Sequence, residues 1–256
     1  NSAPCGRCRP CGRGQENLCD DLQYLNGTYA EYLRVPARFV RTNTWKVPDA
    51  VSLDVAALTE PLACCVHGLS ETPVRRGDKA LVIGLGPVGL FWVSLLKNAG
   101  AVVSGAGRHA SRLDAAKVLG AQVFEADEGN RWIEAAAKDG PYDLVVEATG
   151  KQETWNLALG LVQKGGTVNL FGGPPKGSQA TFDTNRLHYS QITLKSPYHH
   201  RPEAIRAALE LLARGTVPSA PFLTDTRLLE DLPDVFRGMA ASKIAVKTRI
   251  KMEARA

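Results

Sequence analysis

Four of the six cysteines stand between residues 5 and 19, in CGRCRPCGRGQENLC, at Cys5, Cys8, Cys11 and Cys19. Four sulfurs at C-x2-C-x2-C-x7-C spacing suit one tetrahedral Zn²⁺. The short steps let a turning backbone aim successive thiolates at one centre, and Gly6 and Gly12 are expected to relieve the tight turns. Arg7, Arg9 and Arg13 would offset the charge of a zinc–tetrathiolate centre. Four sulfur ligands close the coordination sphere, so the expected metal is structural. Disulfides are the weaker reading, because cysteines three apart pair poorly and six in a chain of 256 is not disulfide density. A nucleic-acid zinc module would need a recognition helix or a basic, aromatic patch after the cluster, and none follows.

The second chemical signal is VIGLGPVGL, which carries G-x-G-x-x-G at Gly84, Gly86 and Gly89. It follows a predicted strand and opens a predicted helix, the setting in which the pattern binds a dinucleotide pyrophosphate. Gly84 permits the turn, Gly86 lets the phosphates approach the backbone, and Gly89 lets helix and strand pack. Pro87 and Val88 begin the helix, whose N–H groups and dipole favour an anion. An NAD site expects an acidic residue at the end of the next strand, on the ribose 2′-hydroxyl. That strand, VVSGAG, ends at Gly107 and is followed by Arg108, with Arg112 one helical turn along. A small residue followed by arginine suits a 2′-phosphate, so NADP(H) is expected over NAD(H).

The elements that must position these groups are readable from periodicity. KALVIG, AVVSGAG, AQVFEA, YDLVVEATG, TVNLFGG and QITLKSPY read as strands. They alternate with helical stretches from PVGLFWVSLLKNAG to QETWNLALGLVQKGG. That alternation predicts an α/β fold with a doubly wound parallel sheet. RPEAIRAALELLARG reads as a further helix, and the tail as helix then strand. Upstream, residues 20 to 50 read as strands and turns, with TYAEYLRVP alternating and a turn at Asn26–Gly27. SLDVAALTEPLACCVHGLSET reads as helical, capped at Ser52 or Asp54 and interrupted near Pro61.

Composition fits a globular protein, with 44% hydrophobic and 22% charged residues and a formal charge of +5. No basic block suggests a nucleic-acid arm, and no apolar run is long enough to span a bilayer. No leader is visible, and metal-binding thiols favour the cytoplasm. The chain begins at Asn1 rather than Met, so a segment removed from it, or a fragment of a longer, intact parent, is expected.

Together, the cysteine loop, EPLACCVHGL, GLGPVG, GAGRHASRLDAAKVLGA, VVEATG, NLFGG and RLHY followed by YHHRPEAIRAALELLARG resemble, in order, the zinc-dependent medium-chain alcohol and polyol dehydrogenases. The sorbitol and threonine dehydrogenase branch is the nearest in pattern. The resemblance implies a partial GroES-like, β-rich catalytic domain over residues 1–65 and a Rossmann domain over 66–200. Residues 201–256 would return to the catalytic domain. It implies an enzyme that oxidises a secondary alcohol or polyol, with a catalytic Zn²⁺ as Lewis acid in the intact parent.

It also assigns residues. Glu60 matches a carboxylate that ligates that metal or stands beside its ligands. Thr149 and the backbone at Phe171 and Gly172 match positions that hold ribose and nicotinamide. The family's other catalytic-zinc ligands, a Cys and a His, precede the cysteine loop and have no counterpart here. Cys64 and Cys65 read as buried thiols, and His67 as a packing or cofactor-side residue rather than a ligand. Nothing in the spacing of His188, His199 and His200 marks a metal site. The resemblance implies a homodimer or homotetramer formed through the sheet edge, which TVNLFGG with its neighbours would supply. Two other readings are a zinc-free quinone or enoyl reductase of the same superfamily and a non-catalytic dinucleotide-binding protein.

Overall fold

A computed structural model describes residues 1–126, 131–241 and 245–252. The chain divides into two compact units, one of Asn1–His67 with Tyr198–Ala256, the other of Gly68–Pro197.

The first unit opens with strand β1 (Ser2–Ala3), the short helix α1 (Arg9–Gly12) and a 3-10 turn at Glu16–Leu18. Strand β2 (Gln23–Tyr24) then pairs antiparallel with β1. Residues 28–36 form no strand, contrary to the alternation of TYAEYLRVP. Tyr29, Tyr32, Leu33 and Val35 are all exposed, so the apolar positions have no core to face. Helix α2 (Ala37–Asn43) follows where strands and turns were expected, starting directly after Pro36. Helix α3 (Leu53–Ala56) is capped by Ser52, whose Oγ accepts from the Val55 N–H at 3.3 Å. Helix α4 (Thr59–Ser70) takes Pro61 in its first turn, where a missing N–H costs nothing.

The second unit holds six parallel strands: β3 (Lys79–Ile83), β4 (Val102–Gly107), β5 (Gln122–Glu125), β6 (Tyr142–Glu147), β7 (Val162–Leu170) and β8 (Thr193–Lys195). Their order is β5-β4-β3-β6-β7-β8. The connecting helices are α5 (Pro87–Asn98), α6 (Ala110–Val118), α7 (Arg131–Asp139), α8 (Gln152–Leu161) and α9 (Thr184–Tyr189). The predicted start of α7 at Asn130 lies outside the described residues. Helix α5 is buried from Gly89 to Leu96, which explains its apolar residues on every side. Leu81, Ile83, Val145 and Val168 of the sheet pack with Trp132, Leu159 and Leu161 in one core.

Two expectations within this sheet are corrected. The helix expected to run through QKGG stops at Leu161, and β7 begins at Val162. Gly165 takes φ +74°, and the β6–β7 register shifts between Tyr142 and Leu144, so the glycines form an irregularity within a strand. TVNLFGG is not the sheet edge. Its first four residues end β7, between β6 and β8, and the edge on that side is its neighbour, the three-residue β8.

The first unit resumes with α10 (Pro202–Ala213), β9 (Leu223–Leu228), a 3-10 turn at Leu229–Asp231, α11 (Leu232–Ala241) and β10 (Lys247–Lys251). Strand β10 pairs parallel with β9. Residues 242–244, between the expected tail helix and strand, lie outside the described residues. No described helix is long and apolar enough to cross a membrane.

Candidate functional site

The strand order reverses at β3, whose neighbours β4 and β6 lead away in opposite directions. Ligands of such sheets bind beyond the carboxyl ends of the strands at that point. Two loops meet there. Gly84 follows β3 at φ +98°, a conformation L side chains rarely adopt, and a Cβ on it would come within 2.6 Å of Thr149 Cγ2 after β6. A Cβ on Gly89 would lie 1.8 Å from the Gly84 carbonyl oxygen, so the first turn of α5 presses on the loop. Gly86 differs. Nothing lies within 4 Å of the position its Cβ would take. It precedes Pro87 at the start of α5, and no side chain caps that helix. Open space against a helix N-terminus has the shape and sign for a pyrophosphate.

Gly107 ends β4 with its missing Cβ filled by Leu85, from which a methyl would be 3.0 Å. Arg108 is exposed and Arg112 half-buried. Burial, and then the charge of Arg108, lower the Arg112 pKa, so the two cations face one environment. Two guanidinium groups thus stand at the end of the second strand, donors whose fork geometry can hold a phosphate.

Glu147, the last residue of β6, was not singled out from sequence. It is fully buried. Its Oε1 accepts from the Thr149 N–H at 2.7 Å, the Thr149 hydroxyl at 2.5 Å and the Thr154 hydroxyl at 2.9 Å. Its Oε2 accepts from the Gly150 N–H at 3.2 Å. The Phe171 and Gly172 N–H groups both donate to the Glu147 carbonyl, at 2.9 and 2.8 Å. Those two N–H groups are therefore used within the protein, and the Phe171 ring packs edge-on against Trp92 with centroids 5.4 Å apart. The available signal was a carboxylate inside an otherwise apolar strand, LVVE.

In the first unit, one sulfur from each of Cys5, Cys8, Cys11 and Cys19 lies within 4.8 Å of the others. Cys5 Sγ accepts from the N–H groups of Arg7 and Cys8, and Cys19 Sγ from that of Cys5. Such bonds stabilise thiolates. The Arg7 N–H leads in lowering the Cys5 thiol to about 6, while burial raises Cys11 to about 12. Gly6 and Gly14 adopt left-handed φ values of +72° and +69°; Gly12 does not. The donor set fits a tetrahedral zinc.

Glu60 sits in the first turn of α4 with its side chain 38% exposed. Cys64 Sγ lies 3.7 Å from its Oε1, and burial pushes that thiol up. Cys65 and His67 are buried. His200 Nε2 is 3.6 Å from Glu60 Oε1. Glu60, His199 and His200 each place one potential ligand atom within 4.8 Å of the others, a grouping their sequence spacing does not suggest. His188 stands apart, exposed on α9. A groove lined by Ala137, Pro141, Leu161, Val162 and Arg186 lies at the amino end of β7 and contains none of the residues nominated above.

Comparison with known proteins gives a concordant picture. A family model described as zinc-binding dehydrogenase matches residues 87–214. D-arabinitol dehydrogenase 1 of Uromyces fabae is 29% identical over 265 residues, covering 96% of this chain and 73% of that protein. L-threonine 3-dehydrogenase of Bacillus velezensis is 32% identical over 242 residues, covering 91% of this chain and 68% of that protein. The structure of alcohol dehydrogenase TADH from Thermus sp. ATN1 matches with a TM-score of 0.88 at 30% identity, covering 98% of this chain and 77% of that one.

Proposed function

Because the chain belongs to the zinc-binding dehydrogenase family, we propose that it is an NADP-preferring oxidoreductase acting on a secondary alcohol or polyol. The secondary carbinol is common to D-arabinitol and to C3 of L-threonine, after which two of its relatives are named. A nicotinamide bound here would supply hydride acceptance, so that loss of the carbinol hydride and of the O–H proton to solvent would give a ketone.

The carrying observation is the loop Gly84–Gly89 at the carboxyl end of β3. There Gly89 packs on the Gly84 carbonyl and Gly86 leaves the approach to α5 open. In this reading Gly84, Gly86 and Gly89 shape the pyrophosphate seat, and Pro87 and Val88 begin the helix whose dipole faces it. Arg108 and Arg112 take the 2′-phosphate, and Gly107 leaves the ribose without a competing carboxylate. Thr149, fixed by Glu147, borders the seat. Phe171 and Gly172 border it through groups other than their N–H, which Glu147 occupies.

Cys5, Cys8, Cys11 and Cys19 would hold a structural zinc, and Glu60 would serve a catalytic one. A zinc bound there would supply Lewis acidity, lowering the pKa of the alcohol oxygen. The zinc-free reductase reading leaves the four converging sulfurs without a purpose. We assign assembly as a homodimer or homotetramer, and a reducing, cytoplasmic location suited to six free thiols.

Parallel fluorescence titrations with NADPH and NADH test the reading. They are followed by turnover of D-arabinitol, sorbitol and L-threonine with NADP⁺, read as absorbance of the reduced cofactor. Tighter NADPH binding with turnover of at least one alcohol is expected. Tighter NADH binding would remove the preference, and binding of neither would remove the dinucleotide site.

A further inference from the structure

Glu60, His199 and His200 come from opposite ends of the sequence, yet they converge within the first unit. The arrangement is built, not incidental. Side chains alternate in extended chain, so adjacent residues ordinarily face apart. His199 breaks that rule with φ +58°, a left-handed conformation uncommon outside glycine, and the two imidazoles lie with centroids 3.9 Å apart. The dipeptide is held on both flanks by the cysteine loop. Asn17 Nδ2 donates to the Tyr198 carbonyl at 2.8 Å, and Arg201 donates to the Gly14 carbonyl at 3.0 Å.

His200 is 1% exposed, and its Nδ1 has no hydrogen-bond partner among the described residues. Its Nε2 meets Asn1 Oδ1 at 3.2 Å and Glu60 Oε1 at 3.6 Å. Zinc bonds of about 2.0–2.2 Å would set neighbouring tetrahedral donors about 3.4 Å apart, close to the second of these distances. Ser2 Oγ sits 2.8 Å from His199 Nε2, the kind of outer contact that orients a ligating ring.

We propose that Glu60, His199 and His200 form a second divalent-metal site, separate from the four cysteines, with a coordination position left for water or a substrate oxygen. Two imidazoles and a carboxylate are the donor chemistry of an open zinc centre. The proposal deepens the dehydrogenase reading, on which its use in catalysis rests, by adding the two histidines to Glu60. The binding site itself rests on the convergence described.

The test strips the 256-residue chain of metal and titrates it with Co²⁺, following visible absorption, with zinc content measured in parallel. Two equivalents should bind, one with a cobalt–thiolate charge-transfer band and one without. His200→Ala and Glu60→Gln should each weaken the second equivalent at least tenfold and leave the thiolate band intact. Cys8→Ser should do the reverse. Circular dichroism checks folding, and Glu60→Gln, a near-isosteric change at a partly exposed side chain, keeps the test valid if His200→Ala does not fold. Saturation at one equivalent in the parent, or a second equivalent unaltered in both variants, overturns the site. Two equivalents in a chain that binds neither NADPH nor NADH would uphold the site and remove the dehydrogenase reading instead.

Discussion

Glu147 holds Thr149 by two hydrogen bonds to one carboxylate oxygen, from the N–H at 2.7 Å and the hydroxyl at 2.5 Å. The same residue's carbonyl collects the N–H groups of Phe171 and Gly172. One buried side chain and its backbone thus join the carboxyl ends of two adjacent strands, β6 and β7, beside the glycine loop of a third. The proposed cofactor seat is braced by hydrogen bonds where it meets β6 because of this residue.

Glu147→Gln tests that role. The amide keeps the shape, and its oxygen can serve the Thr149 donors. Its NH₂ group must then face the Gly150 N–H, donor against donor. The variant should lose about 1–3 kcal/mol of stability by urea unfolding, and its NADPH affinity should fall with it. A variant as stable as the parent, with unchanged NADPH affinity, would show that the carboxylate is dispensable.

Two glycines six and three residues downstream of β3 should respond differently. Gly89→Ala drives a methyl to 1.8 Å from the Gly84 oxygen, so the helix must shift from its strand. A loss of about 1–3 kcal/mol in stability is expected, with cofactor binding impaired as a consequence. Gly86→Ala meets open space. It should unfold at the parent temperature while NADPH affinity falls at least tenfold, because the methyl enters the phosphate seat. Unimpaired NADPH binding by Gly86→Ala would place the phosphates elsewhere.

The alternation of strands and helices, and the glycine loop with its context, were legible because they rest on local periodicity and local backbone geometry. What escaped depended on distant partners. Residues 28–36 alternate like a strand, but no core lies beneath them, and exposure of Tyr32 at 90% settles the matter. Glu147 reads as an odd charge in a strand until its four donors are seen together. His199 and His200 read as an unremarkable pair because Glu60 stands far away in sequence, and only the left-handed turn at His199 aligns the rings.

Cofactor preference should follow the two arginines after β4. Arg108→Ser removes an exposed guanidinium. Charge-assisted hydrogen bonds contribute about 1.5–3 kcal/mol, so NADPH affinity should fall roughly tenfold to hundredfold. NADH affinity should stay within about twofold, since NADH has no 2′-phosphate to lose contact with. Fluorescence titrations of both cofactors against parent and variant decide it. Equal losses for both would point to a general electrostatic effect instead of 2′-phosphate recognition.

Removal of the thiolate-bound metal should separate the two units energetically. The cysteine loop buries little apolar surface, since Leu18 is exposed and Asn17 is its principal buried side chain besides the sulfurs. A bound metal would therefore do for this segment what a core does elsewhere. Cys8→Ser, or a chelator applied to the parent, should abolish the cobalt–thiolate band and lower the melting temperature of the first unit. NADPH affinity should stay near the parent value, because none of Cys5, Cys8, Cys11 and Cys19 lies within Gly68–Pro197. Calorimetry should show a transition that moves with metal and one that moves with NADPH. A metal-free chain that melts unchanged would mean that the loop is held by its hydrogen bonds to Tyr198 and Arg201 alone.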